Sequence, residues 1–323
     1  MSKELRKGYT TGVHASFAFR SALEAFLATN SFVKSITNKM DNDDLDVTKG
    51  CEIIVTISNR VEDLELNPLK HTPYEISTLK LYAGVGVGVV TKDGLKPPKG
   101  FPAINPTPLK AIEQIYHKFR AKKEIFCTIS VTNGEELAKQ TANAKVGVLG
   151  GISILGTTGF VKPVSSVAYI DSIRTEIAFA KANGYDKIVL TLGNSSFNYA
   201  KKEYKEEQIV EIGNFVYDAI AIAQELGIDK VIFICGIGKA TKVMQGCKNT
   251  HNRFGSIDFV SLKDEIAKEL GIDIDIESTK TVKGVTTQLK NKIDDFYRVV
   301  TAKTDQQIED WFRKIEIETI VLR

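Results

Sequence analysis

No stretch of this sequence is apolar for long enough to cross a bilayer. The most apolar run, residues 146–159, is short and broken by glycine. The opening Met1-Ser2-Lys3-Glu4-Leu5-Arg6-Lys7 is polar and lacks the apolar core of a secretory signal, so a cytoplasmic location is expected. Cysteine is scarce: Cys51, Cys127, Cys235 and Cys247 lie far apart, and no pair has metal-ligand or redox spacing. Three of them sit in apolar, strand-like text, which predicts buried thiols in a reducing compartment. Charge of one sign is also missing. The 43 Lys and Arg and the 40 Asp and Glu leave a net charge of +3. They are interleaved, as in residues 201–207, with no basic arm, so nucleic acid is not an expected partner. The four histidines form no metal set with the cysteines, so no metal site on the protein is expected. Asp41, Asp43, Asp44 and Asp46 lack the glycine and distal glutamate of a calcium loop. No Ser-His-Asp order, nucleophile elbow or kinase-like set is visible.

What is present is an ordinary globular composition, 43% hydrophobic and 26% charged, over 323 residues, a length that suits two domains. In the first part, Ala15, Phe19, Ala22, Leu23 and Phe26 recur at helical spacing and predict a helix over 10–29. Strands are expected at 32–36, 52–57, 79–82, 86–90 and 125–131. A helix is expected over 108–121, and irregular chain over the proline-rich 96–108. This mixture reads as α+β over 1–142. After about residue 143 the order strand, loop, helix recurs. The strands are expected at 146–149, 187–192 and 230–235; the helices at 167–182, at 209–226 and directly after Gly236-Ile237-Gly238-Lys239. Helices over 259–270 and 305–314 and a strand over 316–322 follow. That order predicts a Rossmann-like parallel sheet domain over 143–323, α/β in class. Ligands of such sheets sit off the carboxyl ends of the strands. The expected crevice is therefore built from residues 150–159, Gly193-Asn194-Ser195 and residues 236–239.

The most informative segment is Gly150-Gly151-Ile152-Ser153-Ile154-Leu155-Gly156-Thr157-Thr158-Gly159. Glycines let backbone amides approach a ligand, and threonine hydroxyls can bind its polar groups. Neither the phosphate-loop pattern ending in Gly-Lys-Ser/Thr nor Gly-x-Gly-x-x-Gly after a strand is matched, which weighs against a nucleotide-dependent transferase. Gly150, Gly151, Gly156, Thr157, Thr158, Gly159, Gly193, Asn194, Gly236 and Gly238 are the expected cofactor contacts. Thr10 and Thr11 open a helix and serve either as caps or, with its N-terminus, as an anion site. Lys239 stands in a helical first turn, where the dipole disfavours a cation unless an anion pairs with it. The Asn249-Thr250-His251-Asn252-Arg253 cluster holds the best sequence candidate for a proton acceptor, His251. A carboxylate of the acidic loop, Asp44 or Asp46, could stand near a reacting carbon or a sulfonium.

Taken together these segments resemble the CbiD family of cobalamin biosynthesis. Residues 5–12 look like its opening and 43–50 like its acidic loop. Residues 86–95 followed by 102–106 are similar to its central signature, and 150–159 match its Gly-Gly-Ile-Ser-Ile-Leu-Gly-Thr-Thr-Gly throughout. Ile237-Gly238-Lys239 and Asn249-Thr250-His251 close the set. The resemblance implies an enzyme that methylates C-1 of cobalt-precorrin-5B on the anaerobic route, with S-adenosylmethionine as cofactor and the cobalt carried by the substrate. It implies Asp46 and His251 as catalytic candidates. It also implies Thr10, Thr11, Asp44, Lys92, Lys239, Asn249, Thr250 and Arg253, with Lys242 and Arg6, as holders of a polycarboxylate ring. A homo-oligomer is compatible with the sequence, and no feature decides it. The chain departs from the family at Val13-His14, Met40-Asp41-Asn42, Cys235-Gly236 and residues 255–258. A paralogue that methylates or only binds another tetrapyrrole is the alternative.

Overall fold

The computed structural model describes residues 6, 8–41, 46–119, 121, 123–156, 159–161, 166–279 and 281–323. The chain divides into two compact units, Met1–Ser165 and Ser166–Arg323.

The first unit contains strands β1 (Gly8–Tyr9), β2 (Val33–Asn38), β3 (Glu52–Ser58), β4 (Tyr74–Ile76), β5 (Leu79–Ala83), β6 (Gly86–Val87), β7 (Val89–Val90), β8 (Ile125–Val131), β9 (Val148–Leu149), β10 (Gly151–Ile152) and β11 (Phe160–Val161). Its helices are α1 (Thr11–Thr29), α2 (Pro106–Phe119) and α3 (Gly134–Ala138). The main sheet runs β2-β3-β8-β5-β4, antiparallel except between β5 and β8. The expected α+β character holds. Helix α1 starts at Thr10, whose hydroxyl accepts from the amide of Val13. It ends at Asn30, a residue type that tolerates the left-handed conformation found there. Ala15, Phe19, Leu23 and Phe26 are buried in one cluster with Ile53, Val55, Leu81 and Ile129 of the sheet. Each large side chain buried there contributes about 1.5–3 kcal/mol.

The second unit contains helix α4 (Ser166–Ala182), strand β12 (Lys187–Thr191), α5 (Asn194–Glu203), β13 (Ile209–Glu211), α6 (Val216–Glu225), β14 (Lys230–Gly236), α7 (Ile237–Met244), α8 (Phe259–Leu270), α9 (Val282–Thr286), α10 (Ile293–Trp311) and β15 (Glu316–Leu322). Its sheet is parallel, in the order β13-β12-β14-β15. The central strands β12 and β14 are continuous apolar runs because both faces are covered, whereas edge strand β15 exposes Glu316 and Glu318. Ile188, Leu190, Val231, Phe233 and Ile317 share a core with Ile177, Ala219, Ala240 and Val300 of α4, α6, α7 and α10. Val189, Ile209, Ile232 and Ile234 face the other way and pack with Ala200 of α5. The chain steps from β12 out to β13, then back past β12 to β14. The direction of winding therefore reverses between β12 and β14, and the helices leaving those two strands cover opposite faces.

Three expectations change. The strand read at 146–149 is not part of the parallel sheet. Residues 148–149 pair with β7, 151–152 with β6 and 160–161 with β1, so the glycine-rich segment is woven into the first unit and the division falls at 165 rather than near 143. The helix read over 209–226 is strand β13 followed by α6. The β-branched Ile209-Val210 extends, and Gly213, at φ +56°, turns the chain. The helix read at 305–314 begins at Ile293, because Phe296, Val300, Thr304 and Ile308 form one buried stripe. Among the described residues, no helix is long and apolar enough to cross a membrane.

Candidate active site

The reversal between β12 and β14 in the second unit marks where a parallel sheet leaves an opening at its carboxyl edge. Gly193 follows β12 as the N-cap of α5, and Gly236 ends β14 as the N-cap of α7. Neither helix has a side-chain cap at its N-cap residue. A methyl group added to Gly193, Gly236 or Gly238 would meet nothing within 4 Å. Gly236 and Gly238 do not have positive φ either. Neither packing nor backbone conformation requires glycine there, and space beside exposed amides is what remains. Asn194 is the first residue of α5 and is exposed.

Lys239 projects from the first turn of α7. Its Nζ donates to Asn214 Oδ1 (2.8 Å) and to the carbonyl of Thr250 (2.9 Å). Burial first, and the neighbouring Lys242 ammonium second, lower its pKa. Thr250 is fully buried; its hydroxyl donates to Asn214 Oδ1 (3.0 Å) and its amide to the Asn214 carbonyl (3.0 Å). Thr250 is therefore part of the frame. Asn249 turns the loop by accepting from the amide of His251 (3.0 Å). His251 itself is exposed, and its Nδ1 accepts from the amide of Arg253 (3.1 Å). In the neutral ring that bond engages the Nδ1 lone pair and leaves Nε2 as the N–H donor. Arg253 is exposed.

In the first unit the residues singled out from sequence meet one another. Thr11 Oγ1 accepts from the amide of Leu155 (3.0 Å) and donates to its carbonyl (3.2 Å). The amide of Thr10 donates to the carbonyl of Gly159 (3.1 Å), and that of Gly12 to the carbonyl of Leu155 (2.9 Å). A Cβ on Gly156 would lie 2.2 Å from Thr10 Oγ1, and one on Gly151 would lie 2.3 Å from the carbonyl carbon of Gly86. The carbonyl of Gly150 accepts from Asn67 Nδ2 (2.9 Å). These glycines are close-approach positions between segments of the protein itself. Thr157, Thr158 and Asp44 lie outside the described residues.

Asp46 accepts from the buried Lys39 Nζ, and from the amide (2.9 Å) and hydroxyl (2.6 Å) of Thr48. Burial alone would raise its pKa. The Lys39 and Thr48 hydrogen bonds outweigh that and hold it below the usual carboxylate value. A carboxylate so engaged is a poor base. His14, which lies beside Lys39 and has its pKa lowered by burial and then by that charge, accepts from the amide of Met40 (3.3 Å). Lys92 lays its stem against Gly147, and Arg6 meets Asp41 (3.0 Å) at the surface. Cys51, Cys127 and Cys235 are buried free thiols; burial pushes Cys51 up to about 11.

Sequence reasoning missed Lys39, Asn67 and Asn214. Asn214 was hidden inside an expected helix, where its signal was the turn dipeptide Gly213-Asn214. Lys39 takes its role from Asp46, seven residues on, and Asn67 from Val87 and Gly150.

A family model described as CbiD matches residues 27–163. The cobalt-precorrin-5B C(1)-methyltransferase of Geobacillus sp. (strain WCH70) is 37% identical over 302 residues, covering 83% of this chain and 79% of that protein. The chain belongs to the CbiD family. Proteins of the same name from Clostridium botulinum (strain Alaska E43 / Type E3) and Methanocaldococcus jannaschii are 33% and 32% identical. They cover 98% and 90% of the chain, and 93% and 78% of their own lengths. A crystal structure of a cobalamin biosynthesis protein (cbiD) from Archaeoglobus fulgidus is 24% identical, with a TM-score of 0.35, covering 84% of this chain and 86% of that one. The stretch matched by the CbiD model falls within the first unit and includes the glycine-rich segment.

Proposed function

We propose that this CbiD-family chain transfers a methyl group from S-adenosylmethionine to C-1 of cobalt-precorrin-5B in anaerobic corrin synthesis, in the cytoplasm, and that its second unit acts as a Rossmann-like cofactor domain. The relatives named for that reaction support the substrate. The single structural observation behind the cofactor reading is the opening between β12 and β14. There, two uncapped helix N-termini and three glycines with space around them fit a ligand that brings a carboxylate and hydroxyls.

S-adenosylmethionine supplies an electrophilic methyl group whose sulfonium leaves as a neutral thioether. The work left to the protein is alignment rather than proton transfer, because bringing the reacting centres into line removes most of the entropic barrier. That agrees with the engaged states of Asp46 and His251. Gly193, Asn194, Gly236 and Gly238 hold the cofactor, and the 249–253 loop holds acidic arms of the ring. The test is incubation of the purified protein with cobalt-precorrin-5B and methyl-labelled S-adenosylmethionine. Label in the corrinoid product, with S-adenosylhomocysteine formed in equal amount, is expected. Binding of S-adenosylhomocysteine without transfer to this ring would move the substrate to another tetrapyrrole. No binding at all would overturn the reading.

A further inference from the structure

Two lysines of α7, the buried Lys242 and the half-buried Lys239, have no acid paired with them among the described residues. Lys242 is 6% exposed, and its Nζ donates to the carbonyls of Thr250 (3.2 Å) and Gly255 (2.8 Å) and to Asn252 Oδ1 (2.8 Å). All three of its donors are thus spent on neutral oxygens. Lys239, which shares the Thr250 carbonyl with it, spends two of three. Among the described residues, no carboxylate forms an ion pair with either ammonium. Two like charges beside each other, one buried and one half-buried, favour a counter-charge, and no described residue provides it.

The donors left over define where it would come. One is the third N–H of Lys239. The other is the amide of Asn214: its oxygen must face Lys239, because an ammonium cannot accept a hydrogen bond, and its Nδ2 donates to no described residue. Asn214 follows β13 and Lys239 follows β14, so both stand at the carboxyl edge of the sheet. We propose that Lys239 Nζ and Asn214 Nδ2 form a seat for one carboxylate of a ligand, while Lys242 is spent on holding the 250–255 loop around it. The proposal rests on the methyltransferase reading for the ligand's identity only. The carboxylate belongs either to the amino-acid end of the methyl donor or to an arm of the tetrapyrrole.

The experiment compares the full-length wild type with Lys239→Met and Asn214→Asp, by calorimetric titration and by thermal unfolding. The probes are S-adenosylhomocysteine, 5′-methylthioadenosine (the same nucleoside without the amino acid) and cobyrinic acid as a polycarboxylate corrin. Asn214→Asp supplies the missing carboxylate from the protein itself, so its Tm is expected to rise above wild type while it loses carboxylate affinity. Loss of a charged hydrogen bond predicts at least about tenfold weaker binding in both variants. If that loss falls on S-adenosylhomocysteine and spares methylthioadenosine, the donor's carboxylate occupies the seat. If it falls on cobyrinic acid alone, the ring's does. An unchanged or lower Tm for Asn214→Asp, together with wild-type affinities in both variants, would overturn the seat. A wild type that binds none of the probes while Asn214→Asp still gains stability would sink the methyltransferase reading and leave the seat standing.

Discussion

Glycine and buried lysine occur in both units of the molecule, and they do opposite things. In the first unit the glycines of residues 150–159 are filled in. Gly151 lies against the backbone of Gly86 and Gly156 against Thr10, and buried Lys39 is neutralised by Asp46. In the second unit Gly193, Gly236 and Gly238 look onto open space, and the α7 lysines have only neutral oxygens around them. The first arrangement is a finished interior. The second lacks something that a ligand would bring.

The comparison can be broken most forcefully at Lys39. Asp46→Asn leaves that charge buried and unpaired, which is expected to cost about 3–5 kcal/mol in urea unfolding. Because the native Asp46 pKa lies below its unfolded value, its contribution is present above the unfolded pKa and disappears as pH falls through the native one. Wild-type stability should therefore drop in acid by a component absent from Asp46→Asn. A drop of equal size in both would place the acid sensitivity elsewhere. Next comes Gly151→Ala, whose methyl would enter backbone of the β6 strand; roughly 3 kcal/mol of destabilisation is expected, with loss of soluble protein a more extreme result of the same kind. Asn67→Ala strands the carbonyls of Val87 and Gly150 and the amide of Leu69, for about 2 kcal/mol. The smallest effect has the opposite sign. Gly238→Ala in α7 should stabilise by up to about 1 kcal/mol, since nothing crowds the added methyl, while weakening S-adenosylhomocysteine. Unchanged affinity would show that the space beside Gly238 is not used.

How much of this was legible beforehand depended on range. Helix α1, strands β3, β8 and β15 and helix α8 follow from local periodicity and caps, and the sequence reading placed them within about two residues. The α+β and α/β characters of the two parts were also legible, as was the role of residues 193–194 and 236–239 as carboxyl-edge loops of a parallel sheet. The boundary was not, because residues 148–161 read as the start of a crossover when considered alone. Only their partners β1, β6 and β7, far back in the chain, assign them to the first unit. The same limit governed the site. A glycine's spacing cannot distinguish a methyl-sized gap from a backbone contact, and the amide of Arg253 on the Nδ1 of His251 shows only in the folded loop.

The hydroxyl of Thr11 has a consequence for how the molecule is made. It clasps Leu155 across 144 residues, and β1 waits still longer for β11. A nascent chain that has emerged only to residue 142 already contains every strand of the main sheet, and α1 can dock on it. The amides of Thr10 and Gly12 nevertheless find their carbonyl partners only when residues 155–159 arrive. Closing so long a loop is slow and gains nothing until the last contact forms. The first unit is thus begun at its amino end and sealed from its carboxyl end, so its earliest residues are among the last to become secure during synthesis.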